Sequence, residues 1–419
     1  MKVLLISTHA RRGGAALAAY RLMSALRDHG VDAGMLVQQG GKGEVNVHRT
    51  TNSVVKKWVN LCRFILERMV FVLRERERRV RFLFSTAGTG ETIHGNIHVK
   101  EADIIHLHWI NGGYLSLRSL KILISSGKPV IWTFHDMWAF TGGCHYSLEC
   151  KGYTMECGNC PYLRKPYAGD LSHRVWKRKE KIFRNPRFVV VTPSDWLKSC
   201  VRSSTLFGNC EVHTIHNPVD PRMFRPVPVE EACRMLGLDP ARKYILFGAA
   251  NVNNILKGFD HFVEAVRILH NEMEDEGEVE ILLFGKAAGN IAGLFPFRTH
   301  VIPFTDSREQ IPAIYSAASL FVIPSLQDNL PNTIIESQLC GTPVVGFRTG
   351  GIPEMIEHLV NGYLAEFGSD PDLSAGMQWV LRYADYPMLS ETTRELALKR
   401  YSVKRSVEKY MELYRKVLE

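Results

Sequence analysis

The chain has 419 residues, 45% hydrophobic and 23% charged, with a formal net charge of +9. That length exceeds one compact core, so two domains are expected, and the composition excludes disordered and fibrous classes. No apolar run reaches the ~18 residues that a spanning helix needs, so none is expected.

The opening stretch, MKVLLIST, reads as a first strand; it is too short for a signal peptide and lacks a cleavage site. A Gly13-Gly14 turn follows, then AALAAYRLMSALRDHG, whose apolar spacing is helical and whose final glycine suits a C-cap. Residues 54–84 carry most of the excess charge, with nine Lys or Arg against three Glu. Interleaved Trp58, Val59, Leu61, Ile65, Leu66, Met69, Val70, Phe71 and Leu73 predict a basic amphipathic helix. Such a helix suits an acidic membrane face, or equally the charged outer side of a core helix.

DIIHLHW, PVIWTFH and RFVVVTPS read as further strands, each followed by turn residues or a helix. Strands alternating with helices predict right-handed βαβ units and a parallel sheet. Between the last two strands, CHYSLECKGYTMECGNC holds Cys144, Cys150, Cys157 and Cys160. Four thiols within 17 residues, ending in Cys-x2-Cys, suit a tetrahedral structural zinc, with free thiols or redox pairing as alternatives. Nine cysteines without a secretory signal point to a reducing compartment. A nucleic-acid-binding zinc module would be basic, whereas this segment sets Lys151 against Glu149 and Glu156.

TIHNPVDPRMFRPVPVE, with four prolines, marks a linker. A second α/β series follows: YILFGA, FDHFVEAVRILHNEM, VEILLFGK, THVIPF, IPAIYSAAS and LFVIPS. The expected fold is therefore α/β, two Rossmann-like doubly wound parallel-sheet domains with a cleft at their strand C-termini. The boundaries are 1–217 and 218–400, with a helical tail over 401–419 packing back on the first domain.

SLQDNLPNTIIESQLCGTPVVGF then sets Asp328 ahead of a helix that starts near Pro331 or Asn332, and Glu336 inside it. The N–H groups of a helix's first turn attract an anion. Glu336 lies about 6–8 Å along the axis, at ~1.5 Å per residue. Two hydroxyl-accepting carboxylates flanking a diphosphate site match a nucleotide sugar. An N-cap aspartate and a solvated helix glutamate are the plainer alternative.

The string PSLQDNLPNTIIESQLCGTPVV resembles the donor-binding motif of glycosyltransferase family 4, retaining enzymes of the GT-B fold. The likeness extends to GGAA, HNPVD, LKGFD, LFGK and GGIPEMI. DIIHLHWINGGYLSL and the segment from WTFHD to NCPYL resemble a subgroup that assembles bacterial exopolysaccharides, of colanic-acid type. The resemblance implies that Glu336 holds the nucleotide ribose, that Asp328, one methylene shorter than the usual glutamate, contacts the donor sugar, and that Lys257 faces the diphosphate. The arginine usual before that lysine is replaced by GAANVNN, leaving Asn251 or Asn253 as weaker helpers. Gly285, Leu330, Pro331 and Asn332 join the implied donor contacts. The resemblance makes Gly13 and Gly14 a loop over the donor phosphate and sets His135 near the donor sugar, with Asp136 orienting it or capping the next turn; Arg11 and Arg12 are candidates for an acceptor phosphate or plain solvated surface.

The implied activity is retaining transfer from a UDP- or GDP-linked sugar to a saccharide acceptor, lipid-linked, in exopolysaccharide synthesis. It needs no obligatory cofactor and no divalent metal, and no nucleic acid is expected as a partner. The implied location is cytoplasmic, peripheral on the inner membrane face. A sugar-nucleotide epimerase, a phosphorylase and a non-catalytic nucleotide-sugar sensor remain as alternatives.

Overall fold

The computed structural model describes residues 1–183, 188–252, 254–273, 278–286, 291–383 and 385–419. It divides into two compact units, Met1–Pro218 with Lys404–Glu419, and Val219–Val403.

In the first unit the described strands are β1 (Lys2–His9), β2 (Asp32–Gln39), β3 (Val47–Arg49), β4 (Ile104–Leu107), β5 (Val130–Thr133), β6 (Phe188–Thr192) and β7 (Val212–Thr214). They form one parallel sheet in the order β3-β2-β1-β4-β5-β6-β7. Val3 to Ser7 of β1 and all of β4 and β5 are buried. Continuous burial, rather than alternation, is what helices on both faces of a parallel sheet produce. Trp132 anchors this core, edge-on to Phe134, Phe183 and Phe188 with ring centroids 5.0, 5.9 and 5.8 Å away. Aromatic pairs of this kind add about 0.5–1.5 kcal/mol each beyond burial.

The second unit holds β8 (Lys243–Asn251), β9 (Val279–Lys286), β10 (Thr299–Ile302), β11 (Leu320–Ile323), β12 (Val344–Phe347) and β13 (Gly362–Ala365). These are also parallel, ordered β10-β9-β8-β11-β12-β13. Both sheets therefore reverse their winding once, between β1 and β4 in one and between β8 and β11 in the other. Ligands of doubly wound sheets bind beyond the strand C-termini at such reversals.

Two features differ from the sequence-based expectation. The basic segment is helical over Val54–Val72, capped by Ser53, and not through residue 84. Past Leu73 the chain folds back on the helix: Arg81 clasps Glu75 at 2.5 Å, and Arg68 donates to the Phe84 carbonyl at 2.6 Å. The inward face of this helix is polar, burying Asn60, Glu67 and Arg68 beside Phe71, whereas Trp58, Leu66 and Leu73 are 63%, 53% and 68% exposed. Among the described residues no helix is long and apolar enough to cross a membrane.

The tail helix, Val403–Leu418, belongs to the first unit. Its buried Tyr414 and Tyr410 hydroxyls reach His106 (2.8 Å) and Thr133 (3.2 Å), and Ser406 donates to the His216 carbonyl (3.1 Å).

Candidate active site

In the second unit, the loops after β8 and β11 are tied together at the winding reversal. After β8, Asn254 caps a single turn, Ile255–Lys257, by accepting from the Leu256 amide at 3.1 Å. Gly258 follows with φ +65°, and a side chain there would put Cβ 1.8 Å from the Pro324 carbonyl oxygen. The turn thus lies directly on the loop after β11, and the Leu326 amide donates to the Leu256 carbonyl at 2.9 Å. That contact brings Lys257 Nζ to 2.5 Å from Asp328 Oδ2, while Asp328 Oδ1 accepts from the Asn329 amide at 3.0 Å.

The helix Asn332–Leu339 begins next, with Pro331 at its N-cap position and no side-chain cap there. Glu336 lies on this helix, 7% exposed, and accepts from the Tyr315 hydroxyl at 3.1 Å. Lys257, Asp328, the helix start and Glu336 therefore occupy one rim of one sheet. The lysine and aspartate, assigned to separate ligand contacts by the resemblance, form a single ion pair. Tyr315 was not anticipated; it sits inside an apolar helical run and gave no polar signal.

Other expected donor residues divide by environment. Leu330 is buried in the core of this unit, so its side chain is unavailable to a ligand and any contact it makes is through the backbone. Gly285, at φ +135°, is a packing glycine, because a Cβ there would stand 1.8 Å from the Ala249 carbonyl oxygen. Asn251 ends β8 and is exposed; Asn253 lies outside the described residues. One Asp-x-Asp string occurs, Asp370-Pro371-Asp372, with both carboxylates occupied. Asp370 pairs with His261 (2.7 Å), and Asp372 accepts from the Tyr363 hydroxyl (2.7 Å) and the Glu366 amide (2.7 Å).

In the first unit the corresponding rim is built from histidines. His106 and His108 share one parity of the β4 stretch, and His135 and Asp136 follow β5. His106 pairs with the hydroxyls of Tyr414 (2.8 Å) and Thr133 (2.7 Å), and His108 Nδ1 lies 2.9 Å from His135 Nε2. Burial pushes all three imidazoles down: His135 to about 4, partly opposed by Asp136, His106 to about 3, and His108 well below its ordinary value of 6.5. They are neutral near pH 7.

Asp136 is charged despite its burial. The penalty of desolvation is outweighed by His145 (2.7 Å), the Trp138 amide (2.8 Å) and the Trp109 indole (3.0 Å), which together hold the carboxyl below its ordinary value. Asp136 thus orients His145 and Trp109. Its influence on His135 is electrostatic. The His-x-His alternation of IHLHW was the available signal for His106 and His108, since strand period places both on one face.

Gly13, at φ +91°, forms the N-cap of the first helix, and a Cβ there would meet nothing within 4 Å. Gly14 opens that helix. Arg12 is exposed, but Arg11 is engaged elsewhere, bridged to Glu44 at 2.9 Å and lying 3.9 Å from the Tyr20 ring centroid.

Cys144, Cys150, Cys157 and Cys160 line one cavity of about 20 Å³. Burial raises the Cys157 thiol to about 11 and Cys160 to about 12, and Cys144 well above its usual value. Among the described residues no three or more His, Cys, Asp or Glu side chains stand together at metal-ligating distance. The sulfurs surround a void and do not meet at a point.

Sequence and fold comparisons bear on this architecture. A family model described as Glycosyltransferase Family 4 matches residues 12–222, and one described as Glycosyl transferases group 1 matches 242–382. WcaC of Escherichia coli (strain K12), named as a colanic acid biosynthesis glycosyl transferase, is 24% identical over 61% of this chain and 62% of its own length. A D-inositol 3-phosphate glycosyltransferase of Catenulispora acidiphila is 29% identical over 64% of this chain and 61% of its own. The matches thus span about three fifths of these relatives.

Among solved structures, sucrose-phosphate synthase from Thermosynechococcus elongatus superposes with a TM-score of 0.69 at 17% identity, covering 99% of this chain and 98% of that one. Anabaena HepE, in complex with UDP and glucose, does so at 0.66 and 16%, covering 99% and 100%. At such identities the likeness is one of fold, GT-B. Two parallel sheets wound alike, each half matched by a glycosyltransferase model, lead to one assignment: the chain belongs to glycosyltransferase family 4.

Proposed function

We propose that this protein is a retaining glycosyltransferase that moves a sugar from a UDP- or GDP-linked donor to a lipid-linked saccharide acceptor in exopolysaccharide synthesis. The observation that carries the reading is the Lys257–Asp328 pair at 2.5 Å, beside the start of the helix that bears Glu336. In this reading Lys257 and the first-turn N–H groups receive the diphosphate, which is favoured at a helix N-terminus. Glu336 accepts from the ribose hydroxyls, and Asp328 contacts the sugar while holding the lysine in place. His135 meets the sugar as a neutral hydrogen-bonding group.

Among the described residues at this rim, Asp328 is paired with Lys257 and Glu336 accepts from Tyr315, an arrangement unlike the two close carboxylates of a double displacement. The proposed step is therefore on one face. The bond from the sugar's anomeric carbon to the diphosphate oxygen breaks, and a bond to the acceptor oxygen forms on the same side. The acceptor's proton passes to the released phosphate oxygen. Lys257 and the helix end stabilise the charge that grows there, with no divalent metal in the step. The likeness to a protein titled as a UDP complex supports a uridine donor, and the likeness to WcaC supports an exopolysaccharide product.

The helix Val54–Val72 supports peripheral binding to an anionic membrane at the cytoplasmic face. Its outward apolar side chains share the helix with exposed Lys56 and Lys57, a combination suited to an acidic headgroup layer.

The test is transfer from UDP- and GDP-sugars to lipid-linked acceptors, with product anomeric configuration read by NMR. It is repeated without divalent cations, and binding is measured on vesicles with and without anionic lipid. Donor turnover without an acceptor, phosphate-dependent release, or binding without turnover would replace this reading with an epimerase, a phosphorylase or a sensor.

A further inference from the structure

We infer that His108 is a positioning residue for His135: its Nδ1–H donates to His135 Nε2 and so fixes His135 as the tautomer that carries its proton on Nδ1. Only the consequence for the sugar rests on the proposed function; the hydrogen bond and the tautomer do not.

Strand geometry places the two rings. His106 and His108 share one parity of the β4 stretch, so both side chains leave the same face of the sheet. Half-buried His135 follows β5, the neighbouring strand, and its Nε2 lies 2.9 Å from His108 Nδ1. The backbone of His108 is held at both groups: its amide donates to the Ile6 carbonyl at 2.9 Å, and its carbonyl accepts from the Trp132 indole at 3.1 Å. Its ring lies against that of His106, with centroids 4.3 Å apart. His106 is itself anchored at both nitrogens, by the hydroxyls of Tyr414 (2.8 Å) and Thr133 (2.7 Å), and Thr133 reaches the Tyr410 hydroxyl at 3.2 Å. The tail helix Val403–Leu418 thus braces the stack on which His135 rests.

Proton counting gives the contact its direction. Burial lowers His135 to about 4 and His108 well below its ordinary value, so near pH 7 each ring has one N–H and one bare nitrogen. One ring must donate and the other accept. His108 Nε2 is buried and has no hydrogen-bond partner among the described residues. If His135 were the donor, His108 would carry its proton on that nitrogen, as a buried N–H with nothing to receive it. Such orphaned donors are rarer in folded proteins than under-used acceptors. With His108 as the donor, the unpartnered atom is a bare nitrogen instead. The bond therefore runs from His108 to His135, and both rings hold their proton on Nδ1.

Which nitrogen of a histidine is protonated follows from the bond the other one makes. A free histidine side chain in water prefers its proton on Nε2, so the fold selects the minor form. Any ring-nitrogen contact that His135 makes to a sugar is then as a donor, with a hydroxyl oxygen accepting.

The test reads tautomers in the full chain, labelled with ¹⁵N at histidine, by long-range ¹H–¹⁵N correlation at pH 7. His135 and His108 should each show a protonated Nδ1 and a bare Nε2. His108→Phe removes the donor and should return His135 to the Nε2–H form. With UDP-glucose as the probe donor, it should also lower kcat/KM about tenfold, the scale of one lost hydrogen bond. His108→Asn keeps an amide N–H at about the place of Nδ1–H and should restore both the tautomer and most of the activity. Tautomers are read without substrate, so an inactive chain would count against the proposed function and leave this assignment to the spectrum; the same spectrum of the unaltered chain decides if His108→Phe does not fold. A proton on His135 Nε2 in the unaltered chain, an unchanged His135 tautomer in His108→Phe, or His108→Asn as impaired as His108→Phe would overturn the inference.

Discussion

The two units wind their sheets alike and differ in what stands at the winding reversal. Beyond β8 and β11 stand a lysine, an aspartate and a helix start, a charged rim. In the first unit, at and next to the C-terminal ends of β4 and β5, stand buried His106 and His108 and half-buried His135, held neutral by desolvation. One scaffold thus carries two kinds of electrostatics, because the strands set where loops emerge and the loop residues set the chemistry. The charged rim suits a diphosphate.

The sharpest way to break this contrast is to remove charge from the second unit. Lys257→Ala and Asp328→Ala should each lower kcat/KM for the nucleotide sugar by about 10²–10³, the range for losing a preorganised group that stabilises developing charge. Activity within threefold of the unaltered chain would show that the pair is structural.

Glu336→Ala should act next in size, raising the donor KM about 10–100-fold with a smaller change in kcat. A lost charge-assisted hydrogen bond is worth about 1.5–3 kcal/mol. A pure kcat effect would move Glu336 from binding to chemistry.

The neutral rim predicts a pH signature. Because His135 titrates near 4, its protonation should depress kcat/KM only as pH falls toward that value, leaving no limb near 6.5 that His135→Gln removes. A limb at 6.5 that vanishes in His135→Gln would show a solvated, titrating imidazole.

The smallest effect is on stability. Histidines with folded-state values below 6.5 bind fewer protons folded than unfolded, so stability is full above 6.5 and falls as pH drops from 6.5 toward 4. The thermal midpoint should decline over that window, and less steeply in His106→Asn. An equal slope would place the acid sensitivity elsewhere.

Much of the fold could be read before any coordinates. The runs around β1, β4, β5, β6, β8, β9 and β11 announce themselves because buried parallel strands are nearly all apolar. The short strands β3 and β7 and the mixed run of β2 and β13 do not, since edge position and glycine dilute the pattern. The position of Glu336 inside a helix that starts after Pro331 was legible from spacing, whereas Lys257 was singled out only by the family resemblance. Their environments were not legible.

By itself, the sequence determined the two-domain α/β class, the helix start after Pro331, the cluster of four cysteines and the basic apolar segment. These follow from local spacing, where side chains a few residues apart share an element. Tertiary structure alone decided that Lys257 meets Asp328, that Arg11 turns to Glu44, that Leu330 enters the core, and that the helix Val54–Val72 turns its polar side inward. Each of these depends on which distant loops and helices come into contact, and periodicity along one element carries no information about its neighbours.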